Sequence, residues 1–129
     1  MPIRYEIDES RRLVLVTGTG IVTHGDVLAH LTELNEDGRY QAPMKKLVDY
    51  RDVSDIQIST DASVVIATTK KKLSDRFAGE KCAFVASTDA VFGTARVHEA
   101  RVDGAGISTS VFRDLDEAMA WLELNPKPA

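Results

Sequence analysis

The chain has 129 residues, of which 43% are hydrophobic and 28% are charged, and its formal net charge is −4. These values are typical of one soluble globular domain, predicted to span residues 1–129, which is long enough to bury a core without disulfides or a structural metal. A mildly acidic chain lacks the clustered positive field that non-specific nucleic-acid binding requires, so nucleic acid is not an expected partner.

The sequence carries no sign of export or of membrane insertion. Its N-terminus, MPIRYEID, lacks the charged and then apolar pattern of a signal peptide, and nowhere do about 20 apolar residues follow one another. Cys82 is the single cysteine, which excludes an internal disulfide and fits a reducing compartment. We therefore expect a cytoplasmic protein without stable membrane insertion.

The first two predicted strands form a hairpin. Apolar and polar residues alternate over residues 3–7, as in an edge strand, whereas residues 13–16 form a continuous apolar run that is expected inside a sheet. The Gly-Thr-Gly motif at residues 18–20 is predicted to end the second strand. Thr23 is then the predicted N-cap of a helix that ends near Asn35.

The next unit is the stretch LVDYRDVSDIQISTDAS, residues 47–63. A short apolar strand at residues 47–50 is followed by a polar segment, residues 51–58, that is predicted to be a loop. Ser59 or Thr60 then caps a second helix. The predicted inner face of this helix consists of Val65, Ile66, Thr69 and Leu73.

Three consecutive lysines, residues 70–72, fall in the last turn of the second helix. Cations at this position complement the negative end of the helix dipole. A basic binding patch is the alternative, but the run is short and the chain is acidic. A solvated helix end is therefore the favoured interpretation.

Two further strand–helix units complete the chain. Residues 82–86 form an apolar strand in which Cys82 is expected to be a small buried hydrophobe rather than a reactive thiol. Residues 87–89, Ser-Thr-Asp, cap a third helix, and residues 107–111 alternate as a fifth strand. Asp114 begins the last helix.

The order β-β-α-β-α-β-α-β-α predicts an α/β domain with a five-stranded, mostly parallel sheet and four helices. The second, third and fourth strands are continuously apolar, as interior strands are, whereas the first and fifth alternate. We therefore expect the strands to lie side by side in sequence order, as a β/α superhelix, with the antiparallel first strand at one edge.

No motif in the chain predicts a catalytic centre, a cofactor or a metal. The Gly-Thr-Gly motif resembles the start of a dinucleotide fingerprint, but Thr23 stands where the third glycine is required. The three histidines, His24, His30 and His98, form no HxxxH pair suited to zinc. No Gly-x-Ser-x-Gly elbow supports a hydrolase triad.

The carboxyl edge of the sheet is the best candidate site, because ligands of open α/β sheets bind outside those strand ends. Hydroxyl groups and helix N-termini gather there and can hold an anion. Helix capping alone explains most of these hydroxyls, and Arg51 is the residue that it explains least. The candidate ligand- or partner-binding residues are Thr19, Arg51, Asp52, Ser59, Thr60, Ser87 and Thr88.

Three features together resemble a known family: the element order, the segment LVDYRDVS that leads into a capped helix, and the C-terminal VFRDLDEAMAWLEL. They are similar to the SpoIIAA-like family of small bacterial proteins. That family is related in fold to the STAS domains of anti-sigma factor antagonists, and in architecture to the lipid-binding CRAL-TRIO domain. The resemblance spans nearly the whole chain and implies a STAS-like fold with a regulatory role.

The resemblance also implies a candidate phosphoacceptor. In anti-sigma factor antagonists an Asp-Ser-Ser-Gly segment begins the helix after the third strand, and its first serine accepts phosphate. Aligned on Asp49, these four positions are Gln57, Ile58, Ser59 and Thr60, so isoleucine replaces the acceptor. A shift of one residue would give that role to Ser59.

The favoured hypothesis is a non-enzymatic regulatory or protein-interaction module whose contact surface is segment 51–60 and the following helix. The alternative is a carrier or sensor of a small apolar or anionic ligand, which the likeness to CRAL-TRIO domains implies. An enzyme built on Arg51, Asp52 and a hydroxyl group is a third hypothesis. An exposed edge strand and a partly apolar helix face also allow a homodimer.

Overall fold

The computed structural model describes residues 2–124 of the chain. Strands and helices follow one another in the predicted order: β1 (Ile3–Asp8), β2 (Leu13–Thr23), α1 (His24–Glu36), β3 (Lys45–Gln57), α2 (Thr60–Lys72), β4 (Lys81–Val85), α3 (Asp89–Arg101), β5 (Ser108–Phe112) and α4 (Leu115–Trp121). The strand order is β1-β2-β3-β4-β5, with β1 antiparallel to β2 and the other pairs parallel. The predicted fold class and the side-by-side arrangement of strands are confirmed.

The helices divide unequally between the two faces of the sheet. Helices α1, α2 and α3 pack on one side, the three-helix face, and α4 alone packs on the other, the single-helix face. Parallel crossovers are right-handed, so consecutive helices that connect strands placed in sequence order fall on the same side. Alternation along β3 sends Lys46 and Val48 toward the three helices and Leu47 toward α4.

Each helix begins at a side chain that accepts a hydrogen bond from its first turn. Thr23 and Asp26 form a capping box, in which Thr23 Oγ1 accepts from the Asp26 amide at 3.3 Å and the Asp26 carboxylate accepts from the Thr23 amide at 2.9 Å. Ser59, Thr88 and Asp114 cap the other three helices. These N-caps agree with the sequence prediction, because they depend on local chemistry alone.

Strands β2 and β3 are longer than predicted. Residues 18–20 do not end β2, which continues to Thr23, and the predicted loop at residues 51–57 is the second half of β3. The register of this strand pair shifts twice, and β3 carries an extra residue at each shift. The inward-facing Tyr50, Val53 and Ile56 are therefore three residues apart.

The extension of β2 and β3 depends on Gly18. A Cβ atom at this buried position would lie 2.5 Å from Cδ1 of Tyr50 and 3.0 Å from Cγ2 of Val53, so a larger residue would displace the tyrosine ring. Residues 19–23 and 50–57 continue past the last pairing of β3 with β4, and we call them the β2–β3 arm.

Helix α2 is rotated relative to its predicted orientation. Its buried residues are Ser63, Ile66, Ala67 and Lys70, whereas Val65, predicted to face inward, is 50% exposed. The interpretation of residues 70–72 as a solvated helix end was wrong for Lys70, whose exposed fraction is 4%. The buried set has the i, i+3, i+4, i+7 spacing of one helix face, so helical periodicity decides the burial of Lys70.

Candidate functional site

The predicted site residues lie along the carboxyl edge of the sheet but do not form one cluster. Thr19 and Asp52 are register partners on the β2–β3 arm. Ser87 and Thr88 follow the short strand β4, whereas Ser59 and Thr60 follow β3, which continues from Asp49, its last residue paired with β4, to Gln57. The unequal strand lengths therefore separate the two capping segments.

Arg51 is paired with Asp49, two residues earlier on the same strand. Its Nε and Nη2 atoms each donate to a different carboxylate oxygen at 2.9 Å. Hydrogen bonds from Arg51 lower the pKa of Asp49 below its ordinary value. This bidentate pair uses the Nε and Nη2 donors of the Arg51 guanidinium, so Asp49 is a structural partner of Arg51. The enzyme hypothesis instead requires Arg51 to act with Asp52 in an acid–base arrangement, which this geometry does not provide.

Ser59 and Thr88 are exposed, and their hydroxyl groups are used as N-caps. Ser59 Oγ accepts from the amide of Ala62 at 3.1 Å, and Thr88 Oγ1 accepts from the amide of Val91 at 3.2 Å. The hydroxyl of Ser59 therefore lies at the surface, at the positive end of the α2 dipole.

The outer face of α2 exposes an apolar pair one turn after this cap. Val64 is 43% exposed and Val65 is 50% exposed. Exposed valines that stand side by side on a helix are candidates for a contact surface. Segment 51–60 and the outer face of α2, here called the arm–α2 surface, thus combine charges, hydroxyls and an apolar pair.

A buried charge cluster lies under the three-helix face. Glu80 is 1% exposed, and its carboxylate accepts from Lys70 Nζ at 2.7 Å and from the Tyr40 hydroxyl at 2.6 Å. Lys46 on β3 is the fourth member and is 4% exposed. Burial alone would raise the pKa of Glu80, but the ammonium groups of Lys70 and Lys46 outweigh burial and hold that pKa below its ordinary value.

The cluster borders a cavity of about 70 Å³ between the sheet and helices α1, α2 and α3. Most of its wall is apolar, and Ile56 and Ile58 connect it with the end of the β2–β3 arm. The polar or titratable side chains that line it are His30, Lys46, Tyr50, Ser63, Lys70, Glu80, Cys82, Thr94, His98 and Thr109.

Burial changes the pKa of the groups that line this cavity. Burial, together with the ammonium groups of Lys46 and Lys70, lowers the pKa of His30 to about 2, so its imidazole is neutral. Neither ring nitrogen of His30 has a hydrogen-bond partner among the described residues. Burial raises the pKa of Cys82 to about 12, which agrees with the prediction of an unreactive thiol.

An open groove of about 700 Å³ lies on the single-helix face, between β1, β2 and α4. Leucines and Met119 line one part of it, and Arg4, Glu6 and Arg11 line another. Within residues 2–124, no group of three or more histidine, cysteine, aspartate or glutamate side chains is placed to hold a metal ion. None of the helices in this range has the length and apolar character needed to cross a membrane.

The solved structures that are similar to this chain over nearly its whole length include the following two. One is an uncharacterized protein of the DUF3478 family from Shewanella loihica with a SpoIIAA-like fold, with a TM-score of 0.57 and 20% sequence identity, covering 93% of this chain and 91% of that protein. The other is the anti-sigma factor antagonist SpoIIAA in its unphosphorylated form, with a TM-score of 0.53 and 11% identity, covering 94% and 97%. The chain has a SpoIIAA-like fold.

This fold is the one that the sequence resemblance predicts. No family model matches the chain, and no curated protein matches it. The similarity therefore rests on three-dimensional structure, which is retained at identities where sequence comparison fails.

In this SpoIIAA-like fold the residue aligned with the phosphoacceptor, Ile58, is half-buried and lines the cavity. Its neighbour Ser59 is exposed and caps α2. Ile58 thus points inward, whereas the hydroxyl of Ser59 points outward. Ser59 stays the candidate phosphoacceptor, on an alignment shifted by one residue.

The buried charge cluster was missed by the sequence analysis, although signals for it exist. Lys46 has the same parity on β3 as Val48 and Tyr50, so strand alternation points it at the three-helix face. Lys70 continues the helical phase of Ile66 and Ala67. Because charged residues are almost never fully buried unless they are paired, a buried lysine on each element would have predicted a buried partner.

Proposed function

We propose that this protein is a non-enzymatic regulatory module that binds a protein partner in the cytoplasm, as an anti-sigma factor antagonist does. The arm–α2 surface is the proposed contact site. The observation that carries the proposal is the exposed pair Val64 and Val65, which lies one turn after the Ser59 cap. The fold similarity to SpoIIAA supports a regulatory role, and the pairing of Arg51 with Asp49 weakens the enzyme hypothesis.

Phosphorylation of Ser59 is the proposed means of control. A phosphate group would add about −1.5 to −2 charges at this position. The α2 dipole and the amide of Ala62 would stabilise the added charge, but Asp55 and Asp61 already make the surrounding surface negative. The modification would therefore change the electrostatics of the contact surface while the fold is retained, and it would weaken binding to an acidic partner.

The test is a pull-down from a lysate of the organism that encodes the protein, with the bound proteins identified by mass spectrometry. We compare the wild type with Val65→Asp, with Ser59→Glu as a mimic of phosphorylation, and with Val97→Asp. Val97 is a matched control, because it is 43% exposed on the neighbouring helix α3. All three changes add a carboxylate at an exposed position, and Ser59→Glu also removes the α2 N-cap, which costs about 1 kcal/mol, so the folded state should be retained.

We expect one protein to be retained by the wild type and by Val97→Asp, and to be reduced at least about tenfold by Val65→Asp, which places a charge in an apolar contact. If the retained protein is a second copy of this chain, the contact surface is that of a homodimer. Equal retention by all four proteins would exclude the arm–α2 surface, and retention of nothing by the wild type would remove the basis of the proposal.

A further inference from the structure

The buried charge cluster holds one more positive charge than its own side chains neutralise. Both carboxylate oxygens of Glu80 are occupied, one by Lys70 and one by Tyr40. Among residues 2–124, none of the side-chain hydrogen bonds or ion pairs involves Lys46, although the residue as a whole is only 4% exposed. A buried ammonium group without a counter-ion is unfavourable, and an anion beside it would offset that cost.

His30 supplies an independent sign of a ligand at the same place. It lines the same cavity as Lys46, is 7% exposed, and has no hydrogen-bond partner at either ring nitrogen. A neutral imidazole carries one N–H donor and one acceptor. The imidazole N–H is therefore a buried donor beside the cavity that no other group among the described residues satisfies.

The size and the charge of the site restrict the ligand. A volume of about 70 Å³ has room for on the order of five water-sized groups. The net excess of one positive charge favours a monoanion, because a dianion such as phosphate would leave an uncompensated negative charge. Val16, Val48 and Ile66 form part of the apolar wall, which favours an aliphatic chain next to the charged group.

We propose that the cavity binds a short-chain aliphatic monocarboxylate, of roughly two to four carbon atoms, by pairing its carboxylate with Lys46 and His30. The ammonium of Lys46 provides the counter-charge, the imidazole of His30 donates a hydrogen bond, and the aliphatic chain contacts the apolar wall. This site adjoins the arm–α2 surface at Ile56 and Ile58, but it does not depend on the proposed protein partner.

The test uses isothermal titration calorimetry and thermal unfolding with sodium propionate at pH 7 and constant ionic strength. Sodium gluconate is the control ligand, because it carries the same carboxylate on a chain too bulky for the cavity. The variants are Lys46→Met, which removes the charge at similar side-chain length, His30→Phe, which removes the N–H donor, and Lys71→Met. Lys71 is the matched control, because it is an exposed lysine on α2.

We expect propionate to bind the wild type and Lys71→Met saturably and to raise their melting temperatures, whereas gluconate has no effect. Lys46→Met should weaken propionate binding at least about tenfold, and His30→Phe should weaken it several-fold. Equal responses to the two carboxylates, equal responses of wild type and Lys46→Met, or no response of the wild type would each overturn the proposal.

A second measurement does not depend on whether the variants fold. NMR of the wild type with ¹³C-labelled lysine reports the pKa of each ammonium group, and a carboxylate beside Lys46 should raise the pKa of that group while leaving the pKa of exposed lysines such as Lys71 unchanged. An unchanged Lys46 titration in the presence of propionate would contradict the proposal.

Discussion

The two faces of the sheet are built from different chemistry. On the single-helix face, the buried residues Leu13, Leu47 and Leu122 belong to an apolar cluster, whereas the buried polar or charged side chains of residues 2–124 all line the cavity on the other face. On the three-helix face, a larger apolar core surrounds the buried pair Lys70 and Glu80. Neighbouring residues of β3 take part in both faces, since side chains alternate along a strand.

This difference suggests that the two faces serve different purposes. An apolar cluster stabilises the folded state roughly in proportion to the area that it buries. A buried ion pair adds little, because replacing it with apolar side chains of similar volume is often neutral or stabilising. The charge cluster is therefore expected to be retained for recognition, while the single-helix face supplies stability without such groups.

The largest loss of stability is expected from Glu80→Gln, which removes the carboxylate from the buried charge cluster on the three-helix face. The change keeps the shape of the side chain but leaves the ammonium groups of Lys70 and Lys46 buried without a carboxylate. We expect the free energy of unfolding to fall by about 3–5 kcal/mol, measured by urea denaturation.

Asp89→Asn is the control for this change, because it removes a carboxylate from an ion pair at the surface, where the aspartate side chain is 96% exposed. It should change stability by no more than about 0.5 kcal/mol. A loss below about 1 kcal/mol for Glu80→Gln would show that the cluster does not depend on the charge of Glu80.

A somewhat smaller effect is expected from Leu13→Ala on the single-helix face. Leu13 is fully buried, so the change removes apolar contacts and leaves a cavity, and we expect a loss of about 3 kcal/mol in the free energy of unfolding. Leu15→Ala is the matched control on the same strand and face, where Leu15 is only partly buried. Equal losses for both leucines would mean that burial does not govern the stability of this face.

The smallest effect is a change of the free energy of unfolding with pH, which we expect to arise from Lys46 on the three-helix face. Burial, reinforced by the Lys70 ammonium, lowers the pKa of Lys46 to about 8, from 10.5 for an ordinary lysine. Between these values the unfolded chain binds more protons than the folded protein, so stability rises with pH. From about pH 7 to about pH 9, the wild type should gain about 1 kcal/mol relative to Lys46→Met, measured by urea denaturation.

Titratable groups that do not face Lys46 contribute equally to both proteins in this comparison, so the difference reports on Lys46 and the groups coupled to it. The groups that face it from the neighbouring elements are Lys70 of α2, Glu80 and Cys82 of the β4 segment, His30 of α1 and His98 of α3. Lys71→Met should follow the wild type across the same range. If the difference in the free energy of unfolding between wild type and Lys46→Met does not change across this pH range, Lys46 titrates as an exposed lysine does.

Local chemistry predicted the architecture and the helix starts. Caps such as Thr23 and Thr88 depend on a side chain and an amide two or three residues away, and continuous apolar runs mark interior strands. The extension of β3 could not be predicted in this way, because its register shifts replace a period of two by a spacing of three at Tyr50, Val53 and Ile56.

The candidate site was predictable only in part. Ser59 and Arg51 were identified from their positions after a strand, but only the folded structure shows that Arg51 pairs with Asp49. The charge cluster joins Tyr40, Lys46, Lys70 and Glu80, which come from four separate segments. No local pattern relates residues so far apart in the chain, although alternation and helical phase indicate that Lys46 and Lys70 face inward.

The β2–β3 arm has a consequence for solubility. The pairing of β1 with β2 ends at Gly18 and that of β4 with β3 ends at Asp49, so within residues 2–124 the arm is a ribbon with strand neighbours on neither outer edge. Such edges invite pairing with other chains and aggregation. Asp52 and Asp55 place charge along the arm, and the two register shifts make its backbone a poor template for a further strand. The same irregularities that hide the arm from sequence periodicity thus make its outer edges unfavourable for pairing with a further strand.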